Sequence, residues 1–161
     1  MAFWQALKGV LTRPAPEWYL PNFAFAGGTA SGGASQSTLI LWNNSSPGVN
    51  FYVYREEISG QSAHFGIAEG PIAQTLGSVN STPGAVFLGS GSPPGQVYQS
   101  TGTNPDSLIL AGNLGGYLPV DGMLNRAADY PLIVIPPNMG WVVTRNDVGN
   151  GLAVNWWFLW K

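Results

Sequence analysis

The sequence has no cysteine and very little charge. With no cysteine among its 161 residues, the chain forms neither disulfides nor thiolate metal sites. Charged residues make up 9% of it, against about 25% in an average protein. The six basic residues are scattered singly along the chain. Because nucleic-acid binding needs a basic patch or arm, we expect no nucleic-acid partner.

Long hydrophobic runs are missing as well. No segment offers the ~18 or more continuous apolar residues of a membrane span, so we expect no membrane partner. Residues 1–18 lack a basic n-region, and Lys8 and Arg13 interrupt their apolar stretch. The sequence therefore does not predict a secretory signal.

No catalytic motif is present either. The only histidine, His64, has no Gly-x-Ser-x-Gly segment to work with, so a structural role is favoured. Asp121 and Asp129 flank Arg126, and we interpret this segment as a loop held by an ion pair, because the spaced oxygen ligands of a calcium loop are missing. Two carboxylates facing each other across a cleft, as in glycosidases, stay open as an alternative. We predict no catalytic residue, no cofactor and no metal.

What the sequence does have is abundant turn residues between short strand-like segments. Its 22 glycines and 13 prolines predict many turns and loops. Residues 26–37, rich in Gly, Ser and Ala, are predicted to be a flexible linker. The segments with strand character are 37–43, 49–56, 62–68, 84–89, 107–112, 130–135, 140–145 and 152–160. The turns predict a hairpin from the first two and an antiparallel meander from the last three. The fold class is therefore all-β, an antiparallel β-sandwich or jelly roll.

The amino-terminal segment follows a different pattern. Apolar residues recur at helical spacing within residues 2–11, which predicts a short helix with one apolar face. We predict an arm over residues 1–30, containing this helix and an extended proline-rich stretch, followed by a single β-sandwich domain over residues 31–161. So short a helix needs a surface to dock on, either on its own domain or on a neighbouring subunit. The candidate contact residues are Phe3, Trp4, Leu7 and Val10.

The last strand-like segment carries more apolar residues than one face can hide. Five of them fall on one face, namely Leu152, Val154, Trp156, Phe158 and Trp160. If that face fills the core, Trp157 and Leu159 are left on the other face, where they are candidates for an interface. In 49–56, Val49, Phe51 and Val53 are expected to face the core. Tyr52 and Tyr54 are then candidate surface aromatics that could stack on a sugar.

Two segments resemble small accessory structural proteins in the virions of tailed bacteriophages. They are LILWNNSSPGVNFYVYREEIS (39–59) and IPPNMGWVVTRNDVGNGLAVNWWFLWK (135–161). In those proteins a strand ending in Leu-Trp-Asn runs into a Ser/Pro/Gly turn and a second apolar strand. A Pro-Pro turn later precedes two strands, the last of them aromatic. The chain departs from this pattern at Asn44, where a proline is expected, and at Lys161, where an acidic residue is expected.

The resemblance implies a structural role without enzymatic activity. The implied protein is a capsid decoration (cement) protein or a component of a head or tail appendage, assembled in the host cytoplasm and placed on the outer surface of the virion. Its implied partners are further copies of itself, as a homotrimer, and the major capsid protein or another virion protein. Two alternatives remain from the residues: a tail-fibre or spike domain that binds a host glycan, and a small polysaccharide hydrolase.

Overall fold

A computed structural model describes residues 22–32, 36–75, 77–86, 91–100 and 118–161 of the chain. Over these ranges the regular secondary structure consists of ten antiparallel β-strands. The strands are β1 (Phe23–Ala30), β2 (Gln36–Asn43), β3 (Phe51–Ile72), β4 (Ser78–Ser81), β5 (Gly84–Ala85), β6 (Gln96–Ser100), β7 (Leu118–Ala127), β8 (Ile133–Ile135), β9 (Met139–Val148) and β10 (Leu152–Trp160). The prediction of an all-β, antiparallel fold is confirmed.

One long strand, β3, divides the sheet into two layers. Residues 51–60 of β3 pair with β10, and residues 67–72 pair with β9. Strand β7 pairs with residues 55–59 and 64–67 of β3, along the other edge of the first part and past the bend. The first layer has the order β5-β1-β10-β3, and the second has the order β4-β6-β2-β9-β3. Because β1 contacts β2 and β6 across the two layers, the curled sheet packs on itself in a sandwich-like way.

The core fills the space between the layers. Phe51 of β3 and Phe158 of β10 are fully buried and stack with their ring centroids 4.5 Å apart. Leu39 and Leu41 of β2 complete this cluster from the second layer. The predicted inner face of the last strand is confirmed. Four of its five residues are buried, and the fifth, Trp160, packs against them; the four are Leu152, Val154, Trp156 and Phe158.

Arg145 fixes the corner at which β3 passes from one layer to the other. Its side chain is 0% exposed, donates hydrogen bonds to the Gly151 carbonyl at 2.8 Å and to the Ser62 hydroxyl at 2.5 Å, and pairs with Asp147. A Cβ at position 60 would lie 2.5 Å from the Arg145 Nη1 atom. Because Gly60 has no side chain, the bend in β3 can pack directly against the buried Arg145 guanidinium.

The predicted hairpin and meander are wrong. Strand β9 lies between β2 and β3, and β3 lies between β9 and β10, so neighbours in sequence are not neighbours in the sheet. Turn residues mark where the chain reverses, whereas the choice of partner depends on which faces must be buried. Val142 and Val143 of β9 point to opposite faces and are both fully buried, as suits a central strand.

The predicted linker and the domain boundary after residue 30 are also corrected. Residues 26–30 belong to β1, which lies between β10 and β5, so this part of the predicted arm is an integral strand. Its small residues serve close packing rather than flexibility. A Cβ on Gly28 would lie 3.0 Å from the Val97 side chain and 3.1 Å from the Leu39 side chain in the opposite layer.

Two predicted elements, the helix at residues 2–11 and the strand at 107–112, lie outside the described residues. In the part of the chain that is described, no helix is long and apolar enough to cross a bilayer.

Candidate functional site

The outer face of the first layer carries a cluster of aromatic side chains. We call it the aromatic face and define it by Phe23, Phe25, Tyr52, Tyr54, Trp157 and Leu159. Strand register brings them together, because β10 pairs with β1 on one side and with β3 on the other. One row across the strands is Phe23, Leu159 and Tyr52, and the next is Phe25, Trp157 and Arg55. The rings of Phe25 and Trp157 meet edge to face, with centroids 5.1 Å apart.

A β-bulge in β3 shapes this face. The register between β10 and β3 shifts between Trp157 and Phe158, which pair with Arg55 and Val53, so Tyr54 is the extra residue. A bulge breaks the strict alternation of side chains and re-aims them. Tyr54 packs with the aromatic face, and the bulge turns Arg55 to the same face, with its guanidinium carbon 4.7 Å from the centre of the Trp157 ring.

The aromatic face contains an open groove of ≈ 520 Å³. We call it the aromatic groove; its lining residues are Phe23, Tyr54, Arg55, Val86, Ala127, Ala128, Asp129 and Trp157. Two backbone hydrogen bonds set its walls: Val86 N–H donates to the Phe23 carbonyl at 2.9 Å, and Ala128 N–H donates to the Tyr54 carbonyl at 3.1 Å. Aromatic rings line the groove, with one basic and one acidic side chain beside them, a composition suited to burying apolar groups.

The residues predicted for an interface or a sugar contact differ in their exposure and in their place in the structure. Trp157 is partly exposed and lines the aromatic groove. Leu159 is only 1% exposed, because Phe23 and Tyr54 cover it, so the expectation that it is left uncovered is wrong. Tyr54 is 6% exposed and lines the groove from within, whereas Tyr52 is partly exposed under the Lys161 ammonium. The predicted contacts Phe3, Trp4, Leu7 and Val10 lie outside the described residues.

Sequence reasoning missed a second site, a buried ion cluster inside the sandwich. Glu56 is 0% exposed, and its carboxylate contacts Arg126 and accepts a hydrogen bond from the Trp156 indole at 2.7 Å. The same guanidinium donates two hydrogen bonds to the buried Glu69, at 2.6 Å and 2.5 Å. One arginine thus holds two carboxylates that lie 13 positions apart on the bent strand β3.

With both carboxyl groups ionised, this cluster would carry one more negative charge than its arginine can neutralise. Burial, and next the charge of Glu69, raise the pKa of Glu56 to about 7, although Arg126 opposes the change. A buried carboxyl group with a raised pKa beside a second carboxylate is an arrangement that can serve acid–base chemistry. Here both side chains are enclosed, and the arginine between them covers both carboxylates. The cluster is better explained as an internal electrostatic contact between the two halves of β3.

The interpretation of the segment around Arg126 is corrected in part. It forms strand β7 rather than a loop, and its ion pairs reach Glu56 and Glu69 instead of Asp121 or Asp129. Asp121 pairs with His64 at 2.5 Å, and both side chains are largely exposed. His64 therefore sits on the surface of β3 as one member of an exposed ion pair.

No protein-family model, curated protein or solved structure matches this chain. Within the described ranges, no three His, Asp or Glu side chains come together in a way that could hold a metal ion. The aromatic face is thus the main candidate site, and its use has to be argued from its own chemistry.

Proposed function

We propose that the protein is a non-enzymatic structural protein of a bacteriophage virion. In this proposal it is a capsid decoration protein that acts as an oligomer, a homotrimer, and bridges capsid subunits. The virion location follows from the resemblance of residues 39–59 and 135–161. The observation that supports an attachment role is the aromatic face, where Phe25 is 38% exposed and Trp157 lines an open groove.

The proposed mechanism is burial of this apolar surface against a neighbour. Removing apolar surface from water stabilises a contact by about 25 cal/mol per Å², before the entropic cost of association. The rigid strands hold the rings in place beforehand, so little side-chain freedom is lost on contact. A low overall charge also suits a surface that is covered in an assembly, because few charges have to be desolvated.

The test uses particles of the phage that carries the gene. We expect the chain in gradient-purified virions at a fixed ratio to the major capsid protein, measured by quantitative mass spectrometry. Particles lacking it should take up the purified protein, and the double substitution Phe25→Ala with Trp157→Ala should lower that uptake at least tenfold. The matched control is Val79→Ala, an exposed apolar residue of β4 in the other layer. Absence of the chain from purified virions would contradict the proposal.

A second candidate function is binding of a host-surface glycan, as in a tail-fibre or spike domain. The observation that favours it is the pairing of aromatic rings with polar groups in one groove, where Trp157 and Tyr54 lie beside Arg55 and Asp129. Isolated protein would then show saturable quenching of tryptophan fluorescence on titration with host-envelope oligosaccharides. Quenching that survives in Trp157→Ala would count against this groove as the glycan site.

A further inference from the structure

We propose that the aromatic groove of each copy is occupied by residues 2–11 of a second copy of this chain, so that copies are joined by exchange of their amino-terminal segments. The proposal rests on the oligomeric part of the proposed function and does not depend on where the oligomer is used.

The chemistry of the segment matches that of the groove. Residues 2–11 are predicted to form a helix about 15 Å long whose apolar side chains, among them Phe3, Trp4 and Leu7, share one face. The groove offers the rings of Trp157 and Tyr54 as a complementary surface. A short amphipathic helix that lays its apolar face in a hydrophobic groove is a common mode of recognition.

One charged residue on the groove and one of opposite sign on the predicted helix can fix how the helix lies in the groove. Asp129 is an exposed acid that lines the groove, and it makes no ion pair with another described residue. Lys8 is the only charged residue of the predicted helix and follows directly after Leu7 on its surface. With Leu7 in the groove, the ammonium of Lys8 comes close to the edge of the groove, where Asp129 can pair with it.

The connection between helix and groove favours a second copy over the same copy. Phe23, the first residue of β1, itself lines the groove, so the chain leaves the sheet at the groove. The intervening residues 12–22 contain Pro14, Pro16 and Pro21, which favour an extended chain. At about 3.1 Å per residue in the polyproline conformation, eleven residues span about 34 Å. A tether extended to this length would place the helix beyond the groove of its own copy, where it can reach the groove of a neighbouring copy.

Two variants of the 161-residue chain with separate defects test the exchange. The arm variant carries Trp4→Ser and Leu7→Ser and keeps its groove. The groove variant carries Val86→Ser and Trp157→Ser, both at residues that line the aromatic groove, and keeps its arm. We expect wild type to be oligomeric, each variant alone to be monomeric by native mass spectrometry, and an equimolar mixture to form a heterodimer of about twice 17.1 kDa. One variant is isotopically labelled so that the two chains differ in mass.

Two results would contradict the exchange of residues 2–11 between copies. Monomeric variants whose mixture yields no heterodimer would overturn the exchange. So would a monomeric wild type in which the arm substitutions increase quenching of Trp157 by acrylamide, because the segment would then dock on its own groove. Folding of the groove variant is checked by its urea midpoint, and Val86→Ser alone serves as a milder second variant. Formation of the heterodimer by a protein absent from virions would refute the proposed function and leave the exchange intact.

Discussion

Replacing Glu56 by glutamine should remove most of the pH dependence of stability between pH 4.5 and pH 7. The pKa of the Glu56 carboxyl is raised from 4.5 to about 7 in the folded chain, first by burial and next by Glu69. In this interval the folded chain holds a proton that the unfolded chain releases, so the free energy of unfolding falls as the pH rises. The contribution is fully present below pH 4.5 and is lost as the pH rises to about 7.

The magnitude follows from the same shift. One pH unit is worth about 1.4 kcal/mol for a group that is protonated only in the folded chain, so the interval from 4.5 to 7 is worth about 3 kcal/mol. Glutamine has nearly the same shape and carries no charge to desolvate. The Glu56→Gln variant should therefore lose up to about 1 kcal/mol at pH 4.5, where a hydrogen bond is altered. At pH 8 it should be at least as stable as wild type.

The assay is urea unfolding in steps from pH 4.5 to pH 8, followed by tryptophan fluorescence, to which Trp156 next to Glu56 contributes. Glu57→Gln is the matched control, since this neighbour lies on the other face and pairs with Arg55. His64→Gln is a second control, because it alters the exposed pair that His64 of β3 makes with Asp121 of β7. A slope that persists unchanged in Glu56→Gln would refute the reasoning.

Three further substitutions test the packing. Gly60→Ala should lower the free energy of unfolding by about 1–3 kcal/mol in urea titrations, because the new Cβ meets the buried Arg145 guanidinium; an unchanged midpoint would show that the guanidinium can move. Asp147→Asn should cost about 2 kcal/mol at pH 7, since Arg145 loses its counter-charge. The Arg145 hydrogen bond lowers the pKa of Asp147, so this carboxyl group becomes neutral only on acidification below pH 4. The difference in stability between variant and wild type should shrink there, because wild type then lacks the counter-charge as well. Leu159→Ala should cost about 2–5 kcal/mol in the isolated chain, and no loss there would restore Leu159 to the interface.

The fold class could be predicted because it depends on local patterns. The last strand shows this well, since alternation in residues 152–160 predicted both its bounds and its buried face. Which strands pair could not be predicted in the same way. The partner of β9 depends on burial of both Val142 and Val143, and that requires knowledge of what covers each face.

The candidate site could be predicted only in part, because a single extra residue changes the phase of β3. Strict alternation from Phe51 and Val53 would turn Arg55 inward and Glu56 outward. The bulge at Tyr54 reverses both, so that Arg55 lies beside Trp157 and Glu56 enters the core. No residue type in this stretch marks the bulge, and the partner of Glu56, Arg126, lies 70 positions away. Sequence patterns therefore indicated Tyr52, Tyr54 and Trp157 of the face, but not Phe23 and Phe25, the groove or the buried ion cluster.

The wrong prediction of a linker also arises because a local pattern does not show what packs against it. Residues 26–37 have the composition of a flexible segment, yet small residues are also what two closely packed layers need. Gly28 lies where any side chain would meet Val97 and Leu39, so β1 can pack here only without one. Composition alone does not separate these two uses of glycine.

Sedimentation equilibrium of the purified 161-residue chain tests most directly whether the aromatic face joins copies of this protein. We predict a stable homotrimer with a mass of three times 17.1 kDa. The mass should fall to that of a single chain in the double variant Phe25→Ala with Trp157→Ala and remain unchanged in Val79→Ala. A wild-type chain that sediments as a monomer at micromolar concentration would contradict the proposal that this face serves assembly.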